Sequence, residues 1–332
     1  MAPNPVALVR EAGKELAWGA SLVPHLIETA GVFHGQHGPQ GKNIRYGKSK
    51  RAFLDVYLPS GRVVPAGKEG YAGLPVVVFF HGGGWGFGFK GFNALMGRAL
   101  ADRGLVAVLP SYTLYPSGNM EDLISDVSDA IVWTQEHISA FGGDPSQIHL
   151  SGHSAGAHLV TMCALRAMRL DANATSKMLS SSFLSIIGIC GVYHLAEHEL
   201  HEQARGVDSV SPMRFAAGGR NNFSKYSPTV ILEMAKRKGD TSTDAKEKRP
   251  VLCLIHALDD RTVPLASSRR FAVAAQNSRA FQKVLLQSVR GGHTDNVNPS
   301  SKSQREAFEK TVDIISLIAH SKGKQLQLKS KL

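Results

Sequence analysis

The chain has 332 residues, with 38 Lys and Arg against 27 Asp and Glu, a formal net charge of +11. At 43% hydrophobic and 20% charged it can bury a large core, which excludes a disordered chain. Three separated cysteines, Cys163, Cys190 and Cys253, form no C-x-x-C pair; this excludes a disulfide framework and a thiolate metal site and favours a reducing compartment.

Residues 1–50 precede the first predicted strand and are expected to form an N-terminal helical cap segment. Glu11, Lys14 and Glu15 break the first apolar stretch, so no secretory signal is read there. Residues 16–33 are apolar but interrupted by Pro24, His25 and Glu28, which suits an amphipathic cap helix better than a membrane span. Residues 42–51 (KNIRYGKSKR) carry Lys42, Arg45, Lys48, Lys50 and Arg51 and no acid. Peripheral membrane contact through this segment is left open.

From residue 53 short apolar runs alternate with helical patterns. FLDVYL (53–58) has the period of two of a strand, and LPVVVFF (74–80) and GLVAVL (104–109) are continuous runs of the kind buried in a parallel sheet. Helical patterns over 92–103 and 120–140 lie between and after them, the second carrying Ile124, Val127, Ile131 and Ile138 at helical spacing. IHLSG (148–152) runs straight into a helix from Ala155. SFLSIIGIC (182–190), PVLCLIHA (250–257) and FQKVLLQSV (281–289) complete the strands, and 303–319 reads as a closing helix. This order predicts an α/β chain with a mostly parallel sheet flanked by helices, its chemistry at the carboxyl ends of the strands. The catalytic domain is expected over 51–320, with residues 192–248 inserted as a small helical cap.

Residues 321–332 read as a flexible basic tail with Lys322, Lys324, Lys329 and Lys331. Nine of the eleven excess charges thus lie in two short segments, and the body between them is nearly neutral. That distribution, without a helix–turn–helix, zinc-finger or RNP-type motif, predicts no nucleic-acid partner. The tail ends Ser330-Lys331-Leu332, the tripeptide read by the peroxisomal import receptor, so that receptor is an expected partner and the peroxisome the expected location. A tail deletion that leaves the protein's distribution unchanged would refute this.

Gly152-His153-Ser154-Ala155-Gly156 is G-x-S-x-G between a predicted strand and a predicted helix. Its glycines permit a turn too sharp for side chains, lifting the Ser154 hydroxyl above the sheet. The turn also puts the Ala155 N–H at a helix start, where it suits a developing oxyanion. His81-Gly82-Gly83-Gly84-Trp85 follows the strand 75–80 and is an HGGG-type loop whose backbone N–H groups can face a carbonyl oxygen. No Gly-Lys-Ser/Thr and no G-x-G-x-x-G with an acid partner follows, so a phosphate cradle is not read. A serine needs a base and the base an orienting carboxylate. HALDDRTVP follows the strand 250–256 and RGGHTD follows 281–289, so Ser154, Asp260 and His293 can converge on one face. Asp259 competes for the acid; the Val263-Pro264 anchor favours Asp260.

HGGGW, YTLYP (112–116), FGGDPSQIHLSGHSAGAHL (141–159), HALDDRTVP and GGHTD, in this order, resemble the α/β-hydrolase esterases over about residues 43–298. They look most like the hormone-sensitive-lipase-like group and, within it, prenylcysteine methylesterase-like carboxylesterases. The resemblance implies the α/β-hydrolase fold, Ser154 as nucleophile, Asp260 and His293 as its partners, and Gly83, Gly84 and Ala155 as the oxyanion hole. It implies a small-molecule ester substrate and neither cofactor nor metal. A formamide (arylformamidase-like) or an acyl-CoA thioester would use the same triad. A non-catalytic ligand receptor on this fold is the rival from another class. Trp85, Phe87, Phe89, Tyr112 and Tyr193 follow strand ends and are candidates to line a substrate pocket, packing being the other use of each. His153 and His158 flank the serine and are expected to pack or fix the turn. His194-Leu195-Ala196-Glu197-His198 fits H-x-x-E-H, but its polar helical setting speaks against zinc.

Overall fold

In the computed structural model, residues 38–60, 73–171, 183–237 and 249–321 are described. Residues 1–37, with the expected cap helix, and the Ser330-Lys331-Leu332 tail lie outside them, as does part of the 192–248 insertion.

Eight strands form one sheet: β1 (Gly41–Arg45), β2 (Phe53–Tyr57), β3 (Leu74–Phe80), β4 (Val106–Pro110), β5 (Gly143–His153), β6 (Phe183–Ile189), β7 (Val251–Ala257) and β8 (Lys283–Val289). Their order is β1-β2-β4-β3-β5-β6-β7-β8. The pairs β1–β2 and β2–β4 are antiparallel and the rest parallel. Every residue of β3, β4 and β7 is buried, because helices cover both faces of the parallel strands. This is the α/β-hydrolase arrangement that the resemblance implies.

The boundary at residue 50 is corrected by β1. Gly41–Arg45 is an edge strand, not helical cap; its five residues show mostly exposed polar side chains and carry no apolar alternation to mark it. β5 also begins earlier than its apolar core, at Gly143, because its first half is polar and pairs only with the start of β3.

The helices are α1 (Ala94–Asp102), α2 (Met120–His137), α3 (Ala155–Ala167), α4 (Leu195–Arg205), the single turn α5 (Met213–Ala216), α6 (Pro228–Arg237), α7 (Leu265–Ser278) and α8 (Lys302–His320). Helix α2 starts at a capping box in which Asn119 and Asp122 exchange side-chain-to-backbone bonds. Two apolar clusters, one per sheet face, make the core. Leu100, Phe308 and Ile315 place α1 and α8 on one face; Val127, Leu159 and Phe271 place α2, α3 and α7 on the other. All thirteen residues of α3 are buried, so the helix that follows Ser154 is fixed on every side.

The connection from β6 to β7 carries α4, α5 and α6. His194 caps α4 by accepting the Glu197 N–H, and Gly206 ends it in the left-handed region at φ 73°. Phe223, Tyr226 and Leu232 from this connection join the core on the α3 side.

Candidate active site

At the end of β5 the chain turns through Ser154, held at φ 52° and ψ −120°, straight into α3. A Cβ on Gly156 would lie 2.4 Å from the carbonyl oxygens of Phe80 and His81, and one on Gly152 would lie 2.6 Å from the Gly156 carbonyl. Only glycine lets the strand, the helix and the end of β3 approach this closely. The Ser154 N–H is tied to the Ile189 carbonyl at 2.8 Å, which anchors the turn on β6.

His293, beyond β8, reaches Ser154 Oγ through Nε2 at 2.9 Å. Its Nδ1 donates to Asp260 Oδ2 at 2.7 Å, which leaves Nε2 unprotonated to accept the serine proton. Asp260 Oδ1 accepts the N–H groups of Thr262 and Val263 at 2.9 Å each, so the carboxylate cannot rotate. Burial alone would raise the Asp260 pKa. Hydrogen bonds from His256 and His293 outweigh it and hold the carboxyl far below the ordinary range, so it stays ionised. The competitor Asp259 is exposed, its N–H bonded to the Gly291 carbonyl at 3.0 Å. A hydroxyl bonded to an imidazole that is bonded to a carboxylate can transfer the hydroxyl proton as oxygen attacks an electrophile.

The HGGG loop curls over the same point. Gly83 sits at φ 125° and its carbonyl accepts the N–H groups of Gly86 and Phe87. Among the described residues the Gly83, Gly84 and Ala155 N–H groups have no backbone acceptor. The loop is braced from behind. The Tyr112 hydroxyl donates to the His81 carbonyl at 2.8 Å, and the two rings stack at 4.3 Å. Arg51 Nε donates to the Tyr112 carbonyl at 2.9 Å and Arg51 Nη2 to the Gly88 carbonyl. A Cβ at Gly83 would fall 2.1 Å from the Phe87 carbonyl oxygen, whereas one at Gly84 meets nothing within 4 Å. Gly83→Ala should therefore cost at least about 2 kcal/mol in urea unfolding and much of the activity, and Gly84→Ala only about 1 kcal/mol of left-handed strain.

Three of the five candidate pocket aromatics are corrected. Trp85 is 1% exposed and Tyr112 and Tyr193 are 0%, so none offers surface to a ligand. The Trp85 indole N–H donates to His158 Nδ1 at 3.1 Å, and His158 Nε2 donates to the Tyr226 carbonyl at 2.7 Å, pinning the HGGG loop to the β6–β7 connection. Tyr193 stacks on Phe271 at 4.4 Å. Aromatics after strand ends plug the top of the sheet here. Phe87 and Phe89, in contrast, are 52% and 42% exposed beside the loop.

Several supporting residues carry no motif of their own. His153 Nε2 donates to the His293 carbonyl at 2.8 Å, fixing the backbone of the residue that meets Ser154. His256 lies under Asp260, its Nε2 3.4 Å from Oδ2 and 2.9 Å from the Val263 carbonyl, its Nδ1 2.7 Å from Ser268 Oγ. Asp295 accepts the Gly292 N–H at 2.8 Å and is held by Gln304 at 2.9 Å, which shapes the loop before His293. Histidines beside G-x-S-x-G and at the end of β7 were the only sequence signals for this layer.

The H-x-x-E-H residues do not assemble a metal centre. His194 caps α4 and His198 faces Glu202 at 3.4 Å. Among the described residues one trio, Cys190, His256 and Asp260, has ligand atoms within 4.8 Å of one another. It is tied up around Asp260: Cys190 Sγ accepts from Ala257 and Asn296, and His256 is bonded as above. Among the described residues no helix is long and apolar enough to cross a membrane.

A family model described as BD-FAE matches residues 54–274. The isoprenylcysteine alpha-carbonyl methylesterase of Arabidopsis thaliana is 32% identical over 277 residues, 82% of this chain and 61% of that protein. A kynurenine formamidase of Danio rerio is 31% identical over 153 residues, 46% of each chain. Among solved structures, esterase B from Lactobacillus Rhamnosis superposes with a TM-score of 0.67 at 17% identity, covering 97% of this chain and 98% of that one. Together with the strand order and the turn at Ser154, these matches place the chain in the BD-FAE family, on the α/β-hydrolase fold of the esterases.

Proposed function

We propose that this protein is a serine hydrolase of carboxylic esters. The carrying observation is the bonded chain from Ser154 Oγ to His293 Nε2 at 2.9 Å and from His293 Nδ1 to Asp260 Oδ2 at 2.7 Å. Ser154 Oγ attacks the ester carbonyl carbon while its proton passes to His293 Nε2. Asp260, ionised and immobile, stabilises the imidazolium and holds its tautomer. The oxyanion takes N–H bonds from Gly83, Gly84 and Ala155, each worth about 3 kcal/mol in the transition state. His293 returns the proton to the leaving alkoxide, and water repeats the cycle on the acyl-serine. The β6–β7 connection serves as the cap, bonded to the HGGG loop through His158 and Tyr226. A non-catalytic receptor loses support, since the base is present and bonded to serine.

The Arabidopsis relative is named for a methyl ester, and this chain spans 61% of its length; the reading for this chain is therefore alkyl esters as a class. A second reading, hydrolysis of an aryl formamide, draws on the Danio match and would use the same residues. A fluorophosphonate probe should label the wild-type protein and not Ser154→Ala; equal labelling of the two would sink the nucleophile. Turnover of an N-formyl arylamine faster than of p-nitrophenyl acetate would select the second reading.

A further inference from the structure

We propose that the carboxyl-end face of the sheet is a docking surface for an anionic lipid bilayer, which presents ester substrate directly to the HGGG loop. This rests on the ester-hydrolase reading for its substrate but not for its binding. β2 runs antiparallel to β4 with Leu54 opposite Pro110, the last residue of β4. The turn between β1 and β2, residues 46–52, therefore sits at the same end of the sheet as the carboxyl end of β4, on the face that carries Ser154. Arg51 from this turn bonds the Gly88 carbonyl, between Phe87 and Phe89. The basic segment and the exposed phenyl rings are thus neighbours.

The apolar part of the face adjoins the HGGG loop. Phe87 and Phe89 both pack on Phe92, at 5.2 and 4.6 Å, yet keep about half their surface exposed. Phe215 stacks on Tyr115, whose N–H bonds the Trp85 carbonyl of the same loop, and is likewise half exposed. Leu258, directly after β7 and two residues before Asp260, is exposed as well.

Charge complementarity selects the occupant. Lys48 and Lys50 are exposed on the turn. Arg45 and Arg51 spend their hydrogen bonds on neutral carbonyls, of Gly47 and Ser49 and of Tyr112 and Gly88, so they hold the turn without losing their charge. Asp126 and Asp129 lie beneath the turn and offset part of this charge, and Asp55 is matched by buried Lys90 at 2.7 Å. Exposed phenyl rings beside a positive turn match a surface with an apolar interior and anionic head groups.

Co-sedimentation of the full chain with phosphatidylcholine vesicles, with and without phosphatidylserine, tests this. Binding should require phosphatidylserine, fall with added salt, and be equal for wild type and Ser154→Ala. Lys48→Glu/Lys50→Glu should weaken it at least about tenfold without changing turnover of a soluble ester, and Phe89→Ser should weaken vesicle binding too. Binding that is unchanged in Lys48→Glu/Lys50→Glu, that follows the tail lysines instead, or that is absent overturns the proposal. So does a concentration-dependent dimer abolished by Phe89→Ser, or capture of heparin or an oligonucleotide without vesicle binding. Loss of ester turnover with vesicle binding intact would overturn only the hydrolase reading.

Discussion

Ser154→Ala should lower kcat for a p-nitrophenyl ester by about a millionfold, His293→Ala by a similar factor, and the double variant by no more than either. The three outcomes follow from one bonded chain. Without the Ser154 hydroxyl there is nothing for His293 Nε2 to deprotonate, and without His293 the hydroxyl keeps its proton. Asp260→Asn makes a sharper prediction. Oδ1 accepts two backbone N–H groups, from Thr262 and Val263, so the amide oxygen must take that position. The amide NH2 then faces His293 Nδ1 where a carboxylate oxygen stood. Two donors cannot face each other, so the imidazole proton moves to Nε2 and the base toward Ser154 is lost. The expected loss is about ten-thousandfold in kcat with the fold intact. Ser154→Gly, equally inactive, should be more stable than wild type by about 1 kcal/mol, because glycine relieves the positive φ of the turn. Steady-state kinetics and urea unfolding of the five variants check this. Additive losses in the double variant, or an active Asp260→Asn, would refute the assigned roles.

What was legible in the sequence is what local sterics or two-sided burial dictates. The central strands are legible because strands covered on both faces need mostly apolar runs, as in LPVVVFF, and β2 because FLDVYL alternates. β1 stayed hidden because an edge strand needs no such run; its lysine and arginine side chains point to water. The turn at Ser154 was legible because its glycines are demanded by atoms within a few residues, plus the end of β3. The spacing to Val263 favours Asp260 over Asp259, and the Val263 N–H bonds the Asp260 carboxylate. The pocket was not legible. An aromatic after a strand end looks the same in sequence whether it lines a cavity or, like Trp85, seals the top of the core, and the difference lies in partners such as His158, 73 positions away. The layer that holds the triad is equally non-local: His153 to the His293 carbonyl spans 140 positions.

Four buried histidines give the fold a steep dependence on acid. Burial is the leading cause in each, and it takes His81, His149 and His158 down to about 4 and His153 to about 3, from the ordinary value of 6.5. The bonding explains why the neutral ring is kept. His158 Nδ1 must accept the Trp85 N–H while Nε2 donates to Tyr226, so a second proton would break the Trp85 bond. His81 Nδ1 donates to the Gly82 carbonyl, and its buried Nε2 has no partner for a proton. Above pH 6.5 the folded and unfolded chains both carry neutral rings and pH does not matter. As pH falls below 6.5 the unfolded chain takes up a proton at each site and the folded chain does not, so stability is lost until the pH passes the folded values. With four protons in play the slope reaches about 5 kcal/mol per pH unit between pH 6 and 4. The loss over that window is about 10 kcal/mol, comparable to a total stability of about 5–15 kcal/mol, so the protein should lose most of its stability and become prone to cooperative unfolding between pH 6 and 4. The lowered carboxyl of Asp260 adds loss of the same sign at still lower pH. Urea midpoints measured from pH 7.5 downward should fall along this slope, and His149→Phe, away from Ser154, should flatten it by about 1.4 kcal/mol per pH unit. A midpoint that stays constant down to pH 4.5 would show that these rings take up protons in the folded state and that burial does not hold them neutral.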